Sequence, residues 1–271
     1  MTSIPLVCLP PAGAGASFFH PWRGVADPFH LVPVDLPGRE TRFADEPRTD
    51  MPGVIEAILP GVLAVIRDCR QSVIFGHSFG AVVAYELARR VSDAGLRRLR
   101  LVLVVSGAGR PGSGPDELIS GLDDDHFLDQ VRHRTGYSHP AFDDPEIRDL
   151  LLPTLRADIA LSERYRPHVI APLPHPVLTL RGDADELVSA AQAAQWREMT
   201  SAEFVMRQIP GGHMYLTESW QQLLDLLRDE CLPLLQPTSC PEAQDQAIAE
   251  PKHQSTCEAP RREGPYGDVI D

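Results

Sequence analysis

The sequence predicts a doubly wound, mostly parallel α/β sheet, and three observations predict it. Short apolar runs rich in β-branched residues recur along the chain, as strands buried on both faces of a parallel sheet do. Stretches with helical spacing alternate with them. One run, Ser72-Val73-Ile74-Phe75, passes directly into Gly76-His77-Ser78-Phe79-Gly80 and then into a helical pattern. A strand, a tight turn and a helix in that order form the repeating unit of such a sheet.

Leu6-Val7-Cys8-Leu9 is the first strand. It runs into Pro10-Pro11-Ala12-Gly13-Ala14-Gly15-Ala16, whose small residues let backbone approach a ligand; a plain turn is the competing reading. Leu31 to Leu36 is the second strand, followed by a turn, Pro37-Gly38-Arg39-Glu40-Thr41-Arg42, that carries two arginines. A helix is expected from Pro52 to Arg67, with Val54, Ile58, Val62, Val65 and Ile66 on one side. After the Ser78 turn, Val82, Val83, Leu87 and Val91 give the next helix its apolar face. Arg100 to Gly107, Pro176 to Arg181 and Glu203 to Ile209 complete the strands, the last ending at Pro210-Gly211-Gly212-His213.

About 60 residues, 112–172, separate two of these strands, far more than an ordinary crossover needs. They include Asp125-His126-Phe127-Leu128 and a helical run from Pro145 to Tyr165, with Ile147, Leu150, Leu151, Leu155 and Ile159 on one face. Pro153 is expected to kink that run or start a new helix. A helical insertion at the strand ends reads as a lid; a subdomain with no gating role is the alternative. One domain is expected over residues 1–237. The stretch 238–271, acidic and poor in large apolar residues, is expected to be a disordered tail.

The composition removes several function classes. With 43% hydrophobic residues over 271 positions, the chain can build a substantial single core. No apolar run reaches the ~20 residues of a membrane span, and the N-terminus lacks a signal-peptide pattern, so a cytoplasmic protein is expected. A net charge of −13 argues against nucleic acid or an anionic membrane as partner. The one lysine is Lys252, which excludes a Walker loop or a Schiff-base lysine from the rest of the chain. Cys8, Cys69, Cys231, Cys240 and Cys257 are odd in number and show no C-x-x-C spacing, so neither a disulfide framework nor a zinc site is supported. No cofactor and no metal are expected.

What remains points to a serine nucleophile. Ser78 stands at the centre of Gly-x-Ser-x-Gly, where a tight turn lifts a hydroxyl clear of the sheet. Such a hydroxyl needs an imidazole to take its proton and a carboxylate to hold the imidazole's tautomer, in the chain order Ser, Asp or Glu, His. His213, behind two glycines after the last strand, alone among the ten histidines holds the required place. The others of the elbow, the insertion and its exit, His77, His126, His133, His139, His168 and His175, are assigned to surface or lid structure. Asp183 and Asp185 both follow the fifth strand; Asp185 is favoured because it lies further out, leaving Asp183 to cap the turn. The Phe79 and Ala12 amides are expected to stabilise the oxyanion.

Six stretches carry a family resemblance. They are Pro-Pro-Ala-Gly at 10–13, Leu-Pro-Gly-Arg-Glu-x-Arg at 36–42 and Gly-His-Ser-x-Gly-Ala at 76–81. Leu-Pro-x-Leu-Arg-Ala-Asp at 152–158, Gly-Asp-x-Asp at 182–185 and Gly-Gly-His at 211–213 follow. Together the chain resembles the type II thioesterases, free-standing hydrolases that accompany modular polyketide and nonribosomal peptide synthases. The resemblance implies an α/β-hydrolase fold with a helical lid. The implied activity is hydrolysis of acyl groups from the phosphopantetheine thiol of acyl or peptidyl carrier proteins. The resemblance carries nucleophile, acid and base to Ser78, Asp185 and His213, and the oxyanion donors to Ala12 and Phe79. A monomer is expected, though nothing in the sequence fixes the oligomeric state. Two departures are visible: Ala14 where the family usually has a second glycine, and Thr135-Gly136-Tyr137-Ser138-His139-Pro140 at the usual Gly-Gly-Thr-Pro-like lid turn. A general esterase, a non-hydrolytic carrier-docking protein and an acyltransferase are the competing functions. Because an acidic chain meeting an acidic carrier needs local positive charge, Arg132 and Arg134, or Arg39 and Arg42, are candidates for a basic patch.

Overall fold

A computed structural model describes residues 3–24, 26–114, 117–168 and 171–236. The stretch expected to be a disordered tail lies outside the described residues. Six strands form one sheet: β1 (Ile4–Leu9), β2 (Phe29–Pro33), β3 (Gln71–His77), β4 (Arg100–Ser106), β5 (Val177–Gly182) and β6 (Phe204–Ile209). Their order is β2-β1-β3-β4-β5-β6, and every neighbouring pair is parallel. The doubly wound α/β architecture is therefore the observed one.

Strand alternation splits the core into two layers. Val7, Leu9, Ile74, Leu103, Val105 and Val177 face α1 (Met51–Ile66) and α2 (Phe79–Asp93) on one side. Leu6, Cys8, Val73, Phe75, Val102, Val104, Leu178 and Leu180 face the 3-10 turn Ala16–Trp22 and a C-terminal helix, Trp220–Leu234, on the other. Cys8, Cys69 and Cys231 are free thiols, two of them buried. None of the described helices is long and apolar enough to cross a membrane.

Three details differ from the sequence reading. β2 starts earlier than expected and stops at Pro33; as an edge strand it tolerates a residue with no N–H to donate. In α1, Val65 is 39% exposed while Met51 and Ile55 are buried, because the buried stripe follows steps of three and four from Met51. Between β4 and β5 lie α3 (Asp124–Thr135) and α4 (Pro145–Arg164). α4 runs unbroken through Pro153, whose exposed position leaves the freed Asp149 carbonyl open to water. Of its expected face, Ile147 and Leu150 are 41% and 53% exposed, while Leu152, Leu155, Ile119 and Phe127 form a small core of their own. Leu150, Leu151, Leu155 and Ile159 line a cavity instead of packing solidly against the sheet domain.

Candidate active site

Ser78 is the single residue between β3 and α2, with φ 55° and ψ −119°. An L-residue holds that conformation only at a cost, which the surrounding structure must impose. The flanking glycines explain how. A Cβ on Gly76 would overlap the Gly80 carbonyl, and one on Gly80 would overlap the carbonyls of Leu9 and Pro10. The first turn of α2 is thus pressed against both β3 and the end of β1, and the Ser78 side chain is turned into the cavity.

Two loops bring the other side chains to it. His213 Nε2 lies 3.1 Å from Ser78 Oγ, and His213 Nδ1 lies 3.0 Å from Asp185 Oδ2. The His213 and Asp185 side chains are 1% and 0% exposed, so water does not compete for their hydrogen bond. Burial alone would raise the Asp185 pKa. The His213 hydrogen bond and charge, with the Val188 and Leu187 amides, outweigh it and hold this carboxyl below the ordinary aspartate range. An ionised carboxylate only accepts, so His213 Nδ1–H donates to it and Nε2 keeps a lone pair for the Ser78 hydroxyl proton. That chain can draw a proton from the hydroxyl as it attacks a carbonyl carbon.

The loop geometry also separates the two aspartates. Asp183 Oδ1 accepts the Gly211 N–H at 2.9 Å, and the Ala184 N–H donates to the Gly211 carbonyl at 3.0 Å. Asp183 therefore ties the loop after β5 to the loop after β6, and Asp185 is the one that reaches the imidazole. Arg181, which the sequence reading passed over, donates to the Asp185 and Val188 carbonyls at 2.9 and 3.0 Å and fixes the loop from beneath. An arginine at the end of an otherwise apolar strand was its only signal.

A second polar chain lies under the first. His77 Nδ1 is 2.8 Å from Ser106 Oγ, which is 2.6 Å from the Tyr215 hydroxyl, and the Ser78 N–H donates to the Ser106 carbonyl at 2.8 Å. His77, expected in surface or lid structure, is instead fully buried, its ring centroid 5.1 Å from that of His213. Burial, and then the neighbouring His213 charge, push its pKa well below the usual histidine value, so it stays neutral. Its position inside the elbow motif gave no hint of this, because Ser106 and Tyr215 come from distant parts of the chain.

The expected oxyanion donors flank the same space. The Phe79 N–H lies in the first turn of α2, where no helical carbonyl can reach it. Neither it nor the Ala12 N–H meets an acceptor among the described residues, and both residues line the cavity with Ser78. That cavity measures about 830 Å³ and extends from Ser78 and His213 under α3 and α4. Among the described residues, no group of three or more His, Cys, Asp or Glu side chains could hold a metal ion.

The proposed basic patch needs correcting. Arg39 is only 8% exposed and forms a two-pronged pair with Asp158 at 2.6 and 2.8 Å, so it offers no charge to a partner. Arg42 binds Asp45 and the carbonyls of Asp35 and Ala57. Arg132 and Arg134 stand at the cavity beside Asp129 and Glu117, at 3.9 and 3.4 Å.

Known proteins match this arrangement along almost its whole described length. A family model, the thioesterase domain, matches residues 4–231. The thioesterase PikA5 of Streptomyces venezuelae is 36% identical, the alignment covering 85% of this chain and 82% of that protein. The type II thioesterase BorB from the borrelidin biosynthetic cluster superposes with a TM-score of 0.75 at 32% identity, covering 84% of this chain and 92% of BorB. YbtT, a type II thioesterase from the yersiniabactin NRPS/PKS pathway, does so with a TM-score of 0.75 at 27% identity, over 86% and 94%. An all-parallel sheet whose strand ends carry a serine, and a family model that matches residues 4–231, have one common reading: the chain belongs to the thioesterase domain family and is a thioester hydrolase.

Proposed function

We propose that the protein hydrolyses acyl thioesters on the phosphopantetheine arm of acyl or peptidyl carrier proteins, clearing aberrant acyl groups from polyketide or nonribosomal peptide synthases. Ser78 acts as nucleophile and His213 as base, Asp185 is the carboxylate that holds the imidazole's tautomer, and the Ala12 and Phe79 amides receive the oxyanion. The observation that supports this most is the Ser78–His213–Asp185 hydrogen-bonded chain opening on a cavity of about 830 Å³. The names of BorB and YbtT support the carrier-bound substrate.

Ser78 Oγ attacks the thioester carbonyl carbon while its proton passes to His213 Nε2. Negative charge develops on the carbonyl oxygen, where each donated N–H contributes about 3–4 kcal/mol of transition-state stabilisation. The C–S bond breaks, the pantetheine sulfur takes the proton from the imidazolium, and an acyl-serine remains. Water then gives a proton to His213 and attacks the same carbon, and the departing Ser78 oxygen recovers that proton as the carboxylic acid leaves. The helices α3 and α4 act as the lid over this cavity, in one domain with the sheet.

The test is intact-protein mass spectrometry of carrier proteins loaded with acetyl, butyryl or octanoyl phosphopantetheine, before and after exposure to the enzyme. Loss of the acyl mass with wild type and its retention with a folded Ser78→Ala variant is the expected result. Release by Ser78→Ala, or faster cleavage of a simple oxygen ester of the same acids than of the carrier thioester, would overturn it.

A further inference from the structure

The stretch that supplies the Ala12 amide is not free-standing. The Ala14 N–H donates to the Pro11 carbonyl at 3.1 Å, closing a four-residue turn with Ala12 second and Gly13 third. Gly13 has φ +74°, the value that the third position of a type II turn requires. Two further polar groups of this turn, the Gly13 N–H and the Ala14 carbonyl, are taken by one buried ion pair. The Gly13 N–H donates to Asp158 Oδ2 at 2.8 Å, and Arg39 Nη1 donates to the Ala14 carbonyl at 3.0 Å while holding Asp158. Leu155, one turn before Asp158 on α4, packs so closely that a Cβ on Gly13 would come within 2.9 Å of its Cδ1. Glu40, next to Arg39, accepts the Ser17 N–H at 3.0 Å and secures the far end of the loop.

A buried ion pair gains little net stability, because desolvation offsets the attraction. This pair leaves one of its own donors, Arg39 Nε, without a partner among the described residues, so it is not an optimised stability element. What it does accomplish is selective: it occupies the Gly13 N–H and the Ala14 carbonyl and leaves the Ala12 N–H unused. We infer that Arg39 and Asp158 are positioning residues for the reaction, clamping the turn so that the Ala12 amide is aimed at the developing oxyanion. Because Asp158 sits on α4, the seating of the insertion and the geometry of the oxyanion site are set together. The inference rests on the proposed role of the Ala12 amide.

A double-mutant cycle in the full-length enzyme tests it. Ala12→Pro deletes the N–H yet suits the second position of the turn, and is expected to lower kcat by about 10²–10³. Asp158→Asn is expected to lower kcat by about 10- to 100-fold with KM nearly unchanged, a partial loss of the same donor. In the double variant the Asp158→Asn effect should vanish, since the amide it positions is gone. An alkyl boronic acid, which adds to Ser78 and places an oxygen where the oxyanion forms, should lose affinity for Asp158→Asn by the same factor as kcat. Affinity for a non-hydrolysable acyl-pantetheine thioether should hold. If Asp158→Asn fails to fold, Arg39→Lys, which keeps charge but loses the fork, is read in the same cycle. Losses that multiply in the double variant, or that fall on KM alone, would overturn the inference and leave the proposed function standing. A neutral Ala12→Pro would overturn the Ala12 assignment itself, and the inference with it.

Discussion

The strand ends and the α3–α4 insertion face each other across one cavity, yet they are held by different forces. At the strand ends each working side chain has at least one directed hydrogen bond from a neighbouring loop or strand, and His213, Asp185 and His77 are almost fully buried. In the insertion, α3 buries a single side chain, Phe127. Besides that side chain's contact with Leu152 and Leu155, its links to α4 include the partly exposed ion pairs of Arg148 with Asp125 and Arg156 with Asp124. Pairs of that kind contribute about 0–1 kcal/mol each. The side chains aligned by directed hydrogen bonds lie on the sheet, and the opposite wall of the cavity lies on the more weakly held part.

The largest test of that contrast is at the strand ends. Asp185→Asn would leave the imidazole without its acceptor for Nδ1–H and favour the wrong tautomer, so hydrolysis is expected to fall about 10⁴-fold. Asp183→Asn loses part of one link to Gly211 and is expected to cost far less, about tenfold or under, through small displacement of the His213 loop. Steady-state kinetics on a loaded carrier separates the two. If Asp183→Asn were the more damaging, the assignment of the two carboxyl groups would be reversed.

The insertion should fail locally. Phe127 is fully buried among Ile119, Leu152 and Leu155, and the Arg156 guanidinium lies 4.2 Å above its ring. Phe127→Ala is expected to cost the insertion about 3–5 kcal/mol. Hydrogen exchange should then accelerate in 117–135 and 145–164 while the amides of β3 and β4 keep their protection. Equal acceleration in the strands would mean that the two regions unfold as one unit.

The same contrast governs what the sequence made legible. β3, β4 and β5 are continuous apolar runs with no other stable use, and Ser78 and His213 stand where the winding of the sheet puts strand ends. Asp185 lies against His213 where Asp183 does not, a matter of how far along the loop each stands. Helical spacing, however, says which residues share a face and not what that face meets. Ile147 and Leu150 were therefore grouped with Leu155, although only Leu155 is buried. Arg39 and Asp158 are 119 positions apart, and Ser106 and Tyr215 are 109 apart. Nothing local distinguishes an arginine clamped to a buried carboxylate from one offered to a partner, so Arg39 was read as surface charge. Contacts of that range become visible only once the sheet order is known.

A smaller effect concerns the buried polar layer beneath Ser78. His77 packs against the His213 ring and the Tyr215 ring, with Ser106 on its Nδ1. Its pKa is lowered in the fold, so the unfolded chain takes up a proton that the native protein refuses. Stability from this site is therefore full above about pH 6.5 and falls as the pH drops below it, by up to about 1.4 kcal/mol per pH unit. His77→Gln removes that dependence. Urea midpoints of both proteins at pH 7.5 and 5.5 should show the wild type losing more on acidification; an equal loss would mean that His77 titrates alike in both states.

The smallest effects should appear on the outer face of α4, where Ile147 and Leu150 look alike by exposure and differ in what they border. Leu150 lines the cavity and Ile147 does not. Replacing either with Gln should change stability by no more than about 0.5 kcal/mol, as for surface positions generally. Against carriers bearing octanoyl rather than acetyl groups, however, Leu150→Gln should lose up to about tenfold in kcat/KM, the scale of one apolar contact in a pocket. Ile147→Gln should leave the ratio of the two substrates unchanged. A matching shift from Ile147→Gln would show that this face touches the carrier protein itself and not only the acyl chain, since no part of the substrate in the cavity reaches it.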